Sequence, residues 1–198
     1  VLQCAYTADK AKLIVKEMTD LLVLDMVDKH LVTDQMVLTI GYDVESLSDP
    51  EIRKKYHGEV TSDYYGRSVP KHAHGTTNLP FPTSSTKMIM EAITQLYDRI
   101  IHPDLLVRRI NVCAGRVMRE DEIKTAETFE QLDLFTDYEA LEQKRKEEQK
   151  ELAKEKRIQH AILDIQKKYG KNALLKGMNL EEGAMTKERN GQIGGHKA

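Results

Sequence analysis

The chain has 198 residues, 31% of them charged, with a net charge of −2 and a mean hydropathy of −0.54. That size allows one domain with extensions or two small ones, and the near-neutral balance means any nucleic acid must be bound by a local face. No apolar run approaches the roughly 20 residues a bilayer crossing requires, no basic-then-apolar leader opens the chain, and two cysteines fit a reducing, cytoplasmic setting.

In chain order, residues 1–6 alternate weakly and predict a strand. The chain lacks an initiator Met and begins directly in this alternation, which predicts a piece of a longer protein. Thr7 is placed as the N-cap of an amphipathic helix over about 8–30, carrying Leu13, Ile14, Met18, Leu21 and Leu22 at helical spacing. Asp25 and Asp28 are expected on its wet face. Thr33-Asp34 predicts a turn, and QMVLTIGY (35–42) a half-buried strand.

Residues 43–74 lack sustained periodicity and predict an inserted loop or ragged hairpin, with its turn at 63–66. Residues 75–79 predict a short strand stopped by Pro80-Phe81-Pro82. Thr83-Ser84-Ser85 then caps a helix to about 101, with Ile89, Ile93, Leu96, Tyr97 and Ile100 on one face. LLVRRINVCAGRV (105–117) is the last strong strand. The fold expected is α+β: a four-stranded, mostly antiparallel sheet in strand-helix-strand-strand-helix-strand order, with both helices on one face. It fills residues 1–120 and leaves the other sheet face open.

An acidic linker (121–136) follows. Over 118–135 there are 6 Asp/Glu against 2 Lys/Arg, whereas 136–198 hold 14 Lys/Arg against 11 Asp/Glu. Leu132, Leu134 and Phe135 stand in that linker, too few to form a core of their own. They either fold back onto the domain or enter a partner's pocket. Residues 137–170 predict a long charged helix, solvated in its first half by i,i+4 pairs. Its second half is expected to dock through Ile158, Ile162, Ile165 and Tyr169, with Ala161 beside them. The tail, 171–198, is expected to be ordered only by contact.

No phosphate loop, nucleophile elbow, zinc helix or paired-cysteine motif occurs, and no residue is assigned a catalytic role. His57, His72 and His74 lack the further ligands of a tetrahedral metal site. Cys4 and Cys113 are expected to be buried. Arg108 and Arg109 are adjacent, so in a strand one must face the helices or their rim and the other the open sheet face. There an arginine can bind phosphate oxygens bidentately. Arg116 and Lys71 could extend the strip, and Thr76, Thr77 and Asn78 add neutral hydrogen bonds. Alternatively, the arginines pair with acids such as Asp104.

TTNLPFPTSSTKMIMEAITQLYDRI, then LLVRRINV, then EQLDLF, in that order and spacing, resembles the C-terminal part of a Y-family translesion DNA polymerase of the UmuC/DinB type. Residues 1–135 resemble its little-finger domain, and NLEEGAMTKERNGQIGGHKA resembles the end of UmuC-like polymerases from Gram-positive bacteria. The resemblance implies a sheet that holds primer–template DNA by its phosphates, with Arg108, Arg109, Thr76, Thr77 and Asn78 at matching positions. Asn111 stands where the family often has Gly, and the 43–74 insertion is longer than usual. The resemblance further implies that Gln131, Leu132, Asp133, Leu134 and Phe135 dock on the bacterial sliding clamp, and that the charged helix is a spacer. The palm, with its metal-binding carboxylates, is expected to lie outside this chain. The fragment then needs no cofactor, and magnesium serves the parent polymerase in DNA-damage bypass and the SOS response. The competing reading is a protein-interaction module that recruits partners such as a recombinase filament without touching DNA.

Overall fold

The structure is a computed structural model and describes residues 1–123, 138–193 and 196–197. Helix α1 (Ala8–Asp28) leads through His30, at φ 54°, into strand β1 (Leu31–Tyr42). Two short helices, α2 (Glu45–Ser48) and α3 (Pro50–Lys55), and a hairpin, β2 (Val60–Ser62) and β3 (Ser68–Pro70), precede β4 (Ala73–Thr83). Helix α4 (Thr86–Ile100), β5 (Val107–Gly115) and β6 (Met118–Arg119) complete the domain. The sheet order is β4-β1-β5, antiparallel throughout, with β6 pairing the start of β1.

The alternation in β1 builds the core. Met36, Leu38 and Ile40 are fully buried against Ile14 and Val23 of α1 and Ile89, Ile93 and Leu96 of α4. Full burial of each such side chain stabilises by about 1.5–3 kcal/mol. Gly75 lets α4 approach, because a Cβ there would lie 2.8 Å from Leu96 and 3.0 Å from Ile100. Tyr97 is buried with its hydroxyl donating to the Ala8 carbonyl at 2.6 Å, and that burial pushes its pKa upward.

Several local expectations are corrected. Residues 1–6 form a single bridge, Tyr6 with Val107, rather than a strand. The turn falls at Lys29-His30, and Thr33-Asp34 lies inside β1, at a bulge. Pro80 and Pro82 do not stop β4: Asn78 pairs with Gln35 and Thr83 with Thr33, so LPFP is the long arm of that bulge. Edge strands and bulges tolerate proline because no ladder N–H is required there. Thr7 takes the N-cap position without a side-chain hydrogen bond, whereas Ser85 caps α4 by accepting from the Met88 N–H at 3.3 Å.

Helix α5 (Tyr138–Tyr169) packs against α1, but not by the isoleucine stripe expected. Ile158, Ile165 and Tyr169 are exposed, and the inward line is Leu152, Glu155, Lys156, Gln159, Ile162, Leu163 and Gln166. Polar side chains serve on that line because each finds a partner. Glu155 accepts from the Ser85 hydroxyl at 2.6 Å and the Lys87 N–H at 2.9 Å, completing the α4 N-terminus with a negative charge. Gln159 donates to the Ser84 carbonyl and to Thr86 Oγ1, both at 2.9 Å. The helix is therefore docked over its second half, and not a free spacer along its whole length.

The tail folds back onto α1. Glu17 is fully buried, and its carboxylate accepts from Asn179 Nδ2 at 2.9 Å, the Met185 N–H at 2.7 Å and the Thr186 N–H at 3.2 Å. Lys10 pairs with Glu182 at 2.7 Å, and Lys176 with Asp20. Replacing Glu17 by Ala leaves buried donors unpaired and should cost about 3 kcal/mol by urea unfolding. Trypsin should then cut first at Lys176, Lys187 or Arg189, whereas Glu182→Ala should leave both readouts near wild type.

Candidate nucleic-acid interface

The face of the sheet away from α1 and α4 carries Gln35, Val37 and Thr39 from β1, His74, Thr76 and Asn78 from β4, and Arg109, Asn111 and Cys113 from β5. Register fixes this set, since each of these residues alternates with an inward neighbour. From Gly41 to Gln35 the face runs about 20 Å, roughly six base-pair rises of a duplex. Cys113 pairs across to Val37 on this face and Cys4 lies on the N-terminal segment, so both are exposed rather than buried. Among the described residues no group of three or more His, Cys, Asp or Glu is placed to hold a metal ion. Nor, among them, is any helix long and apolar enough to cross a membrane.

Adjacent Arg108 and Arg109 do separate. A bulge lies between the pairs Gly41↔Arg109 and Tyr42↔Val107, leaving Arg108 as the extra residue. Arg108 turns to the rim, where Nη1 donates to the Gln3 carbonyl at 3.1 Å and Nε lies 3.6 Å from Asp43. Its acid is Asp43; Asp104 instead faces Lys55 at 3.7 Å. Arg109 is exposed on the open face, and its guanidinium makes no hydrogen bond or ion pair with any described residue. Gly41 opposite leaves room for it: a Cβ there would meet the Arg109 Cβ at 3.1 Å.

At the other end, Arg116 adopts φ 46° and its guanidinium reaches Asp34 Oδ1 at 2.8 Å and Asn78 Oδ1 at 2.7 Å. Gln35 donates to the same Asn78 oxygen at 3.2 Å, so the Asn78 amide N–H groups remain the outward donors. Thr76 is exposed beside it, but Thr77 pairs with Met36 and points to the helix side, so it is not part of the face. Lys71 lies just before β4 in an ion pair with Glu59 at 2.7 Å; that hydrogen bond raises its pKa. Among the described residues the face thus holds one uncommitted cation amid neutral hydrogen-bonding groups, a surface suited to phosphates without base selection. Gln35, Thr39, His74 and Asn111 are members that motif reasoning missed, although strict period-two counting through QMVLTIGY would have found the first two.

The model of the impB/mucB/samB family C-terminal domain matches residues 4–134. The chain belongs to this family of Y-family DNA polymerases. Its sheet, with α1 and α4 on one side, is that C-terminal domain, part of the C-terminal region of a translesion polymerase. No curated protein and no solved structure matches the chain. The QLDLF stretch, 131–135, lies outside the described residues.

The two arginines should separate in stability measurements. Arg108→Ala removes a rim contact of about 1 kcal/mol and should lower Tm by about 2–4 °C. Arg109→Ala, which breaks no hydrogen bond or ion pair with the described residues, should leave Tm unchanged in the same thermal scan.

Proposed function

We propose that this chain is the DNA-holding and clamp-tethering region of an error-prone translesion polymerase, binding primer–template duplex through its backbone phosphates. The observation that carries the proposal is a sheet face that no described element covers, with Arg109 unpaired among the described residues at one end and the Arg116–Asn78 pair at the other. Family membership supports DNA as the partner. Phosphate contacts give affinity without sequence preference, the property required of an enzyme that must extend past any damaged template. In this reading nucleotidyl transfer and its magnesium ions belong to the palm of the parent polymerase.

Binding of the chain to a labelled duplex should weaken steeply with added salt. Arg109→Ala should weaken it roughly tenfold, equally for unrelated sequences, and reduce the salt slope by about 1. Affinity insensitive to both salt and Arg109 would favour the alternative, a protein-interaction module.

The clamp proposal rests on sequence. Gln131-Leu132-Asp133-Leu134-Phe135 offers an amide and three apolar side chains suited to an extended peptide entering a partner's pocket. Titration with a bacterial sliding clamp should give micromolar binding that disappears in Leu134→Ala/Phe135→Ala. Equal binding by the double variant would remove the motif from the interface.

A further inference from the structure

The β2–β3 hairpin ends in two tyrosines that the core does not use. Tyr64 is 94% and Tyr65 77% exposed. Their rings meet edge to face, with centroids 5.3 Å apart at 88°, and the Arg67 guanidinium carbon sits 5.3 Å from the Tyr65 centroid. The turn that carries them is tightly built. Asp63 Oδ1 accepts from the Tyr65 and Arg67 N–H groups, both at 2.9 Å, and Oδ2 accepts from Arg67 Nε at 2.7 Å. The Arg67 guanidinium also holds the Asp63 carboxyl below its usual pKa. Gly66 N–H donates to the Asp63 carbonyl at 3.0 Å, and its φ of 76° is a conformation that favours glycine. A turn fixed by this many bonds holds the backbone that carries the two rings in one conformation.

The hairpin also has a definite place. Only two residues separate β3 from β4, and the first β4 pair, Ala73 with Ile40, adjoins Gly41, the partner of Arg109. The hairpin therefore emerges at the end of the sheet where Arg109 lies. The segment that carries it is polar and mildly basic in composition, residues 50–74 holding 5 Lys/Arg against 3 Asp/Glu and 3 histidines, with Arg67 paired to Asp63 and Lys71 to Glu59. Thr61, Ser62 and Ser68 flank the rings, with Val60 exposed at the start of the hairpin. Aromatic rings among cations are the composition of a base-stacking platform. Bases inside a duplex are already stacked on both faces, whereas an unpaired base has its faces free for such a platform.

We propose that the Tyr64–Tyr65 tip stacks an unpaired base of the DNA strand that continues beyond the duplex held on the open sheet face. The proposal rests on the duplex-holding reading above and extends it to the single-stranded flank.

The test compares a primer–template with a single-stranded overhang against the same duplex made blunt, by fluorescence anisotropy with the whole chain. Tyr64→Ala/Tyr65→Ala should weaken overhang binding about tenfold and leave blunt binding unchanged. Tyr64→Phe/Tyr65→Phe should restore it, since the ring does the stacking. Unchanged Tm would show that the exposed tip carries no fold. Overhang affinity equal to wild type in the alanine pair would overturn the proposal and leave the tip to a protein partner. Equal loss on both DNAs would also overturn it, making the tip a general duplex contact. Arg109→Ala, run alongside, separates the two readings. If it weakens both DNAs while the alanine pair changes neither, only the tip proposal fails. If wild type binds neither DNA, both fail.

Discussion

The alternation of β1 is the constraint on which the rest depends. As the central strand it is paired on both edges, so its side chains can leave only through the two sheet faces. Met36, Leu38 and Ile40 go to the helices and are fully buried. Gln35, Val37 and Thr39 thereby go to the other side, and the register of β4 and β5 follows. A one-residue slip would exchange core and candidate interface together. Fold and site are therefore two readings of one strand.

The second layer depends on polar rather than apolar complementarity. Glu155 and Gln159 bind backbone and hydroxyl groups at the start of α4, and Glu17 binds two N–H groups and an amide of the tail. Such contacts are directional, so they fix rotation and register where an apolar stripe would permit sliding. The stretch of α5 over 142–151, whose side chains are exposed, then continues from a fixed root.

This division explains what could be read from sequence. Helices α1 and α4, β1 and β5 follow from hydrophobic period, because burial against a sheet imprints it. The docking side of α5 could not be read that way. Its inward residues include Glu155, Lys156 and Gln159, whose suitability depends on Ser84, Ser85 and Glu120, distant in the chain. The β4 prolines misled for a similar reason: proline stops a strand only where a ladder N–H is needed, and the bulge opposite Thr33 was not visible. Adjacent Arg108 and Arg109 were correctly expected to diverge, but choosing the outward one required the register shift at Tyr42. Tyr64 and Tyr65 carried no period at all, and only their exposure marks them.

The burial of Glu17 also bears on what counts as a module here. The family match ends at 134, yet the groups that solvate this carboxylate come from residues 179–186. Cut at the family boundary, the domain would keep an ionisable group on a helix face shaped for a lid it no longer has. The span of the family match and the span that buries Glu17 therefore differ by some fifty residues in this chain. Grafting the domain into another polymerase without its tail would uncover this helix face and leave water to hydrate a carboxylate that the tail now serves.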